Sequence, residues 1–101
     1  MGEKGRELDC FVSILKRRMP ELEEEYKVRS LGVFGSYVRG EQKEGSDLDV
    51  LVEFYETPSL LDLVGLEHHL SDLLGVKVDL VPKSGLKPRI GKRILEEVVA
   101  V

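Results

Sequence analysis

Two aspartates, Asp47 and Asp49, stand one residue apart at the start of the apolar run "DLDVLVEF". Side chains in a β-strand alternate between its faces, so these carboxylates point to one face, with their Cα atoms about 6.5 to 7 Å apart. Two carboxylates so close repel each other, and a divalent cation removes the conflict because magnesium prefers oxygen ligands. The pair therefore indicates a metal site. The alternative is that both aspartates merely end the strand in water.

A third aspartate, Asp79, lies in the middle of "VKVDLV", whose alternation predicts another strand. Val78 and Leu80 would face one side of that strand and Asp79 the other. A carboxylate in mid-strand is costly to bury unless a charge or a metal satisfies it. If the strand pairs beside "DVLVEF", the three carboxylates come together at one point. Such a group can bind two metal ions, which activate an attacking oxygen and stabilise a leaving pyrophosphate. The alternative is an edge-strand aspartate in contact with solvent.

Gly35 and Ser36 follow the first predicted strand and precede the helix-compatible segment "YVRGE". A glycine in a strand-to-helix turn lets backbone amides approach a phosphate, and the helix N-terminus favours negative charge there. We expect Ser36 to cap that helix and to hydrogen-bond a phosphate oxygen. Arg39, three residues on, offers a planar fork of donors that suits phosphate, although pairing with Glu41 or a neighbouring acid is the alternative.

The elements that must position these residues are predicted from apolar periodicity. A first helix ends near Pro20, and a short acidic helix begins at that proline. Strands cover Val28–Phe34, "DVLVEF" and "VKVDLV", and the near-continuous apolar character of the second predicts a central strand. A third helix covers Ser59–Leu74, with Ser59 as its N-cap and Gly75 as its stop. "KPRIGKRILEEVVAV" supplies a last helix.

Strands separated by helices indicate the α/β (α+β) class, with a small mixed sheet of three or more strands flanked by helices. A length of 101 residues fits one domain spanning residues 1–101. The inward positions of the helices share three- and four-residue spacings. They are Leu8, Phe11, Val12, Leu15 and Met19 in the first helix, Leu60, Leu63, Val64, Leu70 and Leu74 in the third, and Ile90, Ile94, Leu95 and Val98 in the last.

Composition narrows the classes of protein. A net charge of −4 argues against broad binding to nucleic-acid phosphates. The chain has no apolar stretch long enough to span a membrane and no apolar signal segment, so a cytoplasmic location is expected. Its single cysteine, Cys10, is interpreted as a small buried hydrophobe. Basic residues cluster near the C-terminus and are interpreted as a solvated helix face, the alternative being contact with triphosphate or an acidic partner. They are Lys83, Lys87, Arg89, Lys92 and Arg93.

"GS", ten intervening positions and "DLD" resemble the signature of the nucleotidyltransferase superfamily that shares the fold of DNA polymerase β. The string "FGSYVRGEQKEGSDLDVLVEF", followed by "VDLV" and a terminal helix, is similar to the minimal nucleotidyltransferase (MNT) family, with no departure at the signature positions. This resemblance implies transfer of AMP from ATP to a hydroxyl, with two Mg²⁺ ions as cofactor. It also implies that Asp47, Asp49 and Asp79 are the catalytic and metal-binding residues, and that Gly35, Ser36 and Arg39 bind the nucleotide.

The resemblance further implies a protein partner. MNT proteins often occur beside a small helical HEPN toxin and act as its antitoxin by attaching AMP to a tyrosine. The alternatives are a non-catalytic antitoxin that only binds its partner, and a transferase acting on a small molecule, which the missing acceptor domain disfavours. The small size also leads us to expect that a partner or a second copy of the chain completes the site.

Overall fold

The computed structural model describes residues 3–101, with side chains from Glu7 onward, and contains four α-helices and a four-stranded sheet within that range. Residues 1 and 2 lie outside the described range. Along the chain the elements are α1 (Glu3–Tyr26), β1 (Val28–Phe34), α2 (Ser36–Arg39), β2 (Leu48–Phe54), α3 (Leu60–Leu74), β3 (Val78–Pro82), a 3₁₀ turn (Lys83–Gly85), α4 (Pro88–Glu97) and β4 (Val99–Ala100).

The sheet has the order β3-β2-β1-β4 and is mixed. β1 pairs antiparallel with β2 and with β4, whereas β2 pairs parallel with β3. The predicted fold class is therefore confirmed, and β2 is an interior strand as its apolar run indicated. Among the described residues, none of the helices combines the length and apolar character that crossing a bilayer requires.

The two faces of the sheet differ in character. Val50 and Val52 of β2 are fully buried and belong to the same core cluster as residues of α1 and α3. Burying each such side chain stabilises the fold by about 1.5 to 3 kcal/mol. Asp49 alternates with these valines and therefore points to the other face. The core on one face thus leaves the opposite face free to carry polar groups.

The first helix does not end at Pro20, contrary to the prediction of two helices. Proline lacks one N–H and costs a helix interior about 3 kcal/mol. In α1, Leu15 and Leu22 lie on either side of the proline, two turns apart, and both are fully buried. Their combined burial, at about 1.5 to 3 kcal/mol each, matches or exceeds that cost and keeps the helix continuous. Cys10, predicted to be buried, is exposed on the same helix.

The third helix confirms its predicted ends, since Ser59 accepts a hydrogen bond from the Asp62 N–H and Gly75 adopts the left-handed conformation. Its core positions were predicted only in part. Leu70 and Leu74 are buried, but Leu60 is 77% exposed, Val64 is also exposed, and the buried face instead includes Leu66.

The last helix is shorter than predicted, because the chain leaves it at Val98 and forms β4. Val99 pairs with Val33 of β1, and Ala100 pairs with Gly32. Ile90 and Leu95, predicted to face the core, are about half exposed. The β-branched pair Val98 and Val99 is compatible with extended backbone, and pairing with the edge of β1 fixes the switch from helix to strand.

Candidate functional site

Asp49 and Asp79 are neighbours on two adjacent strands of the sheet. In the parallel register of β2 and β3, Asp49 is the direct partner of Asp79. Paired residues on neighbouring strands point to the same face, with backbones about 4.8 Å apart. Asp47 immediately precedes β2 and shares the alternation of Asp49. The structure therefore brings the three predicted carboxylates to one end of the sheet, on the face away from the core.

The pKa of Asp49 records this crowding. This pKa is raised from 3.8 to about 6, first by partial burial and then by the carboxylates of Asp79, Asp47 and Glu97, against a lowering effect of Arg39. A carboxylate whose ionised form is disfavoured by burial and like charges binds a cation readily, because the cation offsets both penalties. The side chain of Asp49 is thus at the centre of the negative cluster.

Asp79 occupies a different environment from the one predicted. β3 is an edge strand, and Asp79 is exposed to solvent, as in the alternative interpretation of this residue. Water already solvates its carboxylate, so burial does not by itself require a metal at this position. Its relevance to the site rests instead on its direct pairing with Asp49.

The donor set fits a magnesium ion that is shared with a substrate. In the described part of the chain, no group of three or more His, Cys, Asp or Glu side chains is by itself arranged to hold a metal ion. Mg²⁺ is commonly bound by one or two carboxylates, with substrate phosphates and waters completing its shell. Asp47 and Asp49, with Asp79 across the strand pair, supply carboxylates of this kind.

Gly35 allows the backbone to come close to the candidate site, as the sequence indicated. It follows β1, and its φ of 84° and ψ of −153° belong to a region that is essentially restricted to glycine. Its neighbour Phe34 pairs with Asp49, so a Cβ on Gly35 would collide with the Asp49 carboxylate. The glycine is therefore required by both backbone conformation and space.

Ser36 is the first residue of α2 rather than its cap, because Gly35 occupies the N-cap position and no side-chain cap is formed. The prediction that Ser36 caps the helix was wrong. The short helix is instead anchored by Tyr37, which is buried and packs edge-on against Phe11 with ring centroids 5.5 Å apart. This packing holds the Gly35–Ser36 turn beside the carboxylates.

Arg39 lies at the site but is already paired. Its Nε donates to Glu41 at 2.9 Å, and its Nη1 donates to both carboxylate oxygens of Glu97 at 3.1 Å. Pairing with Glu41 was the alternative left open by the sequence. Glu97, in contrast, was not predicted at all.

A cleft of about 280 Å³ joins these residues to the last helix. Besides Gly35, Arg39 and Asp49, it is lined by Phe34 and by four residues of α4, namely Ile90, Arg93, Ile94 and Glu97. The basic cluster is thereby divided, since Arg93 faces this cleft whereas Lys87 and Lys92 line a separate one. A larger cleft between α3 and β3 contains none of the three aspartates.

Known proteins resemble this chain in sequence. A family model described as a nucleotidyltransferase domain matches residues 13–101. The chain is 58% identical over 94 residues to the protein adenylyltransferase MntA of Thermococcus cleftensis, which covers 93% of this chain and 95% of that protein.

Solved structures agree in fold. One that is named as a candidate minimal nucleotidyltransferase is 40% identical, with a TM-score of 0.72 and coverage of 90% of this chain and 95% of its own. A complex of tri-AMPylated Shewanella oneidensis HEPN toxin with MNT antitoxin is 18% identical, with a TM-score of 0.61 and coverage of 96% and 70%. At that identity the likeness concerns the fold alone.

Proposed function

Since this chain belongs to the nucleotidyltransferase domain family and is therefore a nucleotidyltransferase, we propose that it transfers AMP from ATP to a hydroxyl group of a protein. The observation that carries the proposal is the pairing of Asp49 with Asp79 across β2 and β3, beside the Gly35 turn. Carboxylates beside a backbone that admits a phosphate are the parts that phosphoryl-type transfer needs, because it depends on positioning and charge neutralisation.

In the proposed reaction the acceptor oxygen attacks the α-phosphorus of ATP, the bond to the β-phosphate breaks, and pyrophosphate leaves. Asp47 and Asp49 would hold two Mg²⁺ ions, and Asp79 would help to hold one of them. When bound, the metal supplies positive charge to the triphosphate. The exposed Asp79 orients the acceptor hydroxyl and takes its proton. The Gly35 N–H and the Ser36 turn hold the outer phosphates.

The proposed acceptor is a tyrosine of a HEPN-family toxin, which makes the protein an antitoxin. Support comes from the name of the Thermococcus cleftensis relative, a protein adenylyltransferase, and from the fold shared with the MNT antitoxin complex. The open position of Asp79 on the edge strand suits a side chain presented by another protein, because it leaves access from solvent. We place the reaction in the cytoplasm, where ATP is abundant.

Intact mass spectrometry of the partner tests this proposal. The protein is mixed with a HEPN-family partner, Mg²⁺ and each nucleoside triphosphate in turn. We expect the partner to gain one or more AMP units with ATP, and Asp47→Ala or Asp49→Ala to abolish the gain. Asp79→Asn should fold and transfer about 100-fold more slowly, the usual scale for loss of a proton acceptor.

Asp72→Ala, which removes an exposed carboxylate from α3, is the matched control and should leave transfer unchanged. A partner of constant mass whose toxicity is still suppressed would identify a binding antitoxin in place of an enzyme. Undiminished transfer by Asp79→Asn would remove that residue from the mechanism.

A further inference from the structure

Glu97 binds the Gly35 N–H, to which the proposed function assigns a phosphate, and Arg39, which the resemblance assigns to the nucleotide. Its Oε2 accepts a hydrogen bond from the Gly35 N–H at 2.6 Å, and both of its oxygens accept from Arg39 Nη1 at 3.1 Å. A carboxylate and a phosphate present the same kind of anionic oxygen to backbone N–H and guanidinium donors. The side chain of Glu97 therefore lies where an oxygen of the nucleotide is expected.

The contact depends on the placement of α4. Glu97 is the last residue of α4, and it points into the cleft together with Ile90, Arg93 and Ile94, which share its helix face. The chain then enters β4, whose pairing with β1 fixes the end of the helix beside Gly35. The carboxylate of Glu97 is thus held at the donors by the sheet rather than by an exposed, freely moving side chain.

The two arginines that line the cleft, Arg39 and Arg93, favour replacement of this carboxylate by a more highly charged anion. Arg93 lies one turn before Glu97 and lines the same cleft, and among the side chains described from Glu7 onward its guanidinium has no ion-pair partner. A triphosphate offers several oxygens to Arg39, Arg93 and the Gly35 N–H, whereas Glu97 offers two. Guanidinium groups bind phosphate through paired donors, which gives the larger anion the advantage.

We propose that Glu97 is an intramolecular competitor for the phosphate-binding groups Gly35 N–H and Arg39, and that a nucleoside triphosphate binds by displacing its carboxylate. This inference rests on the proposed function, because it assumes that the cleft takes a triphosphate. Glu97 then lowers the affinity of the enzyme for nucleotide. When the cleft holds no nucleotide, Glu97 accepts the hydrogen bonds of the Gly35 N–H and Arg39.

Equilibrium binding measures this effect without turnover. Inorganic tripolyphosphate and a non-hydrolysable ATP analogue, each with Mg²⁺, are titrated into the full chain by calorimetry. Glu97→Gln removes the charge of the competitor and should tighten binding of both probes about tenfold, the scale expected for losing one charge-assisted hydrogen bond. Glu96→Gln, which neutralises the exposed adjacent residue, controls for the general loss of negative charge and should change affinity less than twofold.

Glu97→Asp provides a second variant that keeps the charge and shortens the reach by one methylene. It should also tighten binding, since the shorter side chain leaves Gly35 N–H and Arg39. The Gly35 amide signal in NMR gives a readout that needs no ligand, and we expect it to shift in both Glu97 variants but not in Glu96→Gln.

Equal or weaker binding by both Glu97 variants, with normal binding by the unmodified chain, would overturn the inference and leave the proposed function intact. If neither probe binds the unmodified chain or any variant, the proposed function fails together with the inference.

Discussion

Asp49 is the residue whose ionisation the fold opposes most clearly. Its pKa rises to about 6 because of partial burial and the neighbouring Asp79 and Asp47. In an unfolded chain the pKa of the same group is 3.8. The folded state therefore holds the proton more tightly, and the stability that this confers is fully present below pH ~4 and is lost as pH rises through about 6.

Asp49→Asn should consequently stabilise the metal-free protein at pH 7. The gain is about 1 kcal/mol in the free energy of unfolding, after allowance for the screening of a partly exposed carboxylate by water. Because Asp49 is mostly protonated in both states near pH 3.5, the difference between variant and unmodified protein should become small there. Urea denaturation in EDTA from pH 3.5 to 8 measures it.

Asp72→Asn is the control for this series, since it removes an exposed carboxylate that does not contribute to the raised pKa of Asp49. An Asp49→Asn protein that is less stable than the unmodified chain at pH 7 in EDTA would show that the carboxylate is not destabilised by its neighbours.

At the scale of elements, β3 is held by side chains of α3 along its free edge. Ser71 accepts a hydrogen bond from the Val78 N–H at 3.0 Å, and Glu67 accepts one from the Leu80 N–H at 3.0 Å. These bonds satisfy donors that an edge strand otherwise leaves unpaired. They also flank Asp79 in sequence and so fix the strand that carries it.

Glu67→Ala should therefore affect both stability and transfer. Leaving the partly buried Leu80 N–H without an acceptor costs about 1 to 3 kcal/mol of unfolding free energy. Amide hydrogen exchange at Leu80 should accelerate, and transfer should fall because Asp79 is less firmly placed. Glu67→Gln keeps an acceptor oxygen and should restore most of both properties. Unchanged exchange at Leu80 in Glu67→Ala would contradict this role.

The elements that the sequence predicted best are those with local signals. β1 was predicted with its observed bounds, and α3 with its serine cap and glycine stop, because turn and cap residues act on their immediate neighbours. The continuity of α1 through Pro20 could not be predicted in this way, because burial of Leu22 against the sheet decides it. β4 was missed for the same reason, since two residues form a strand only where β1 offers an edge.

The residues of the candidate site were likewise predicted where their signals are local and missed where they depend on contacts distant in sequence. The three aspartates and Gly35 were predicted from their spacing and from the alternation of strand side chains. Because Asp49 and Asp79 are paired in the register of β2 and β3, these local signals are enough to place them close together. Glu97 was not predicted, because it meets Gly35 across 62 residues of sequence and no periodic pattern links the two. Its position depends on how α4 and β4 fold back onto β1. Contacts of this kind emerge only from the assembled sheet.

On the scale of the whole molecule, one face of the sheet carries the core and the other carries the site. The apolar residues of α1 and α3 pack against one face, so binding on the other need not disturb them. A ligand that binds only the folded state adds to its stability by mass action.

Mg²⁺ with ATP should therefore raise the melting temperature of the intact protein. At a ligand concentration of ~100 times the dissociation constant the added stability is about 2.7 kcal/mol. Differential scanning fluorimetry across millimolar Mg²⁺ and ATP measures the shift, and Mg²⁺ alone should give a smaller one. The double variant Asp47→Asn, Asp49→Asn should show none. A flat melting temperature for the unmodified protein would contradict a preformed site.

The direction of β2 has a consequence for the tyrosines of the chain itself. Asp49 lies near the start of this strand, and the exposed Tyr55 follows its last residue, about 20 Å farther along. Tyr37, which is near the carboxylates, is buried. A molecule is thus unable to present its own exposed Tyr55 ring to its own aspartates. Labelling of Tyr55 by the proposed activity would require an encounter between two molecules, with a rate that grows as the square of protein concentration.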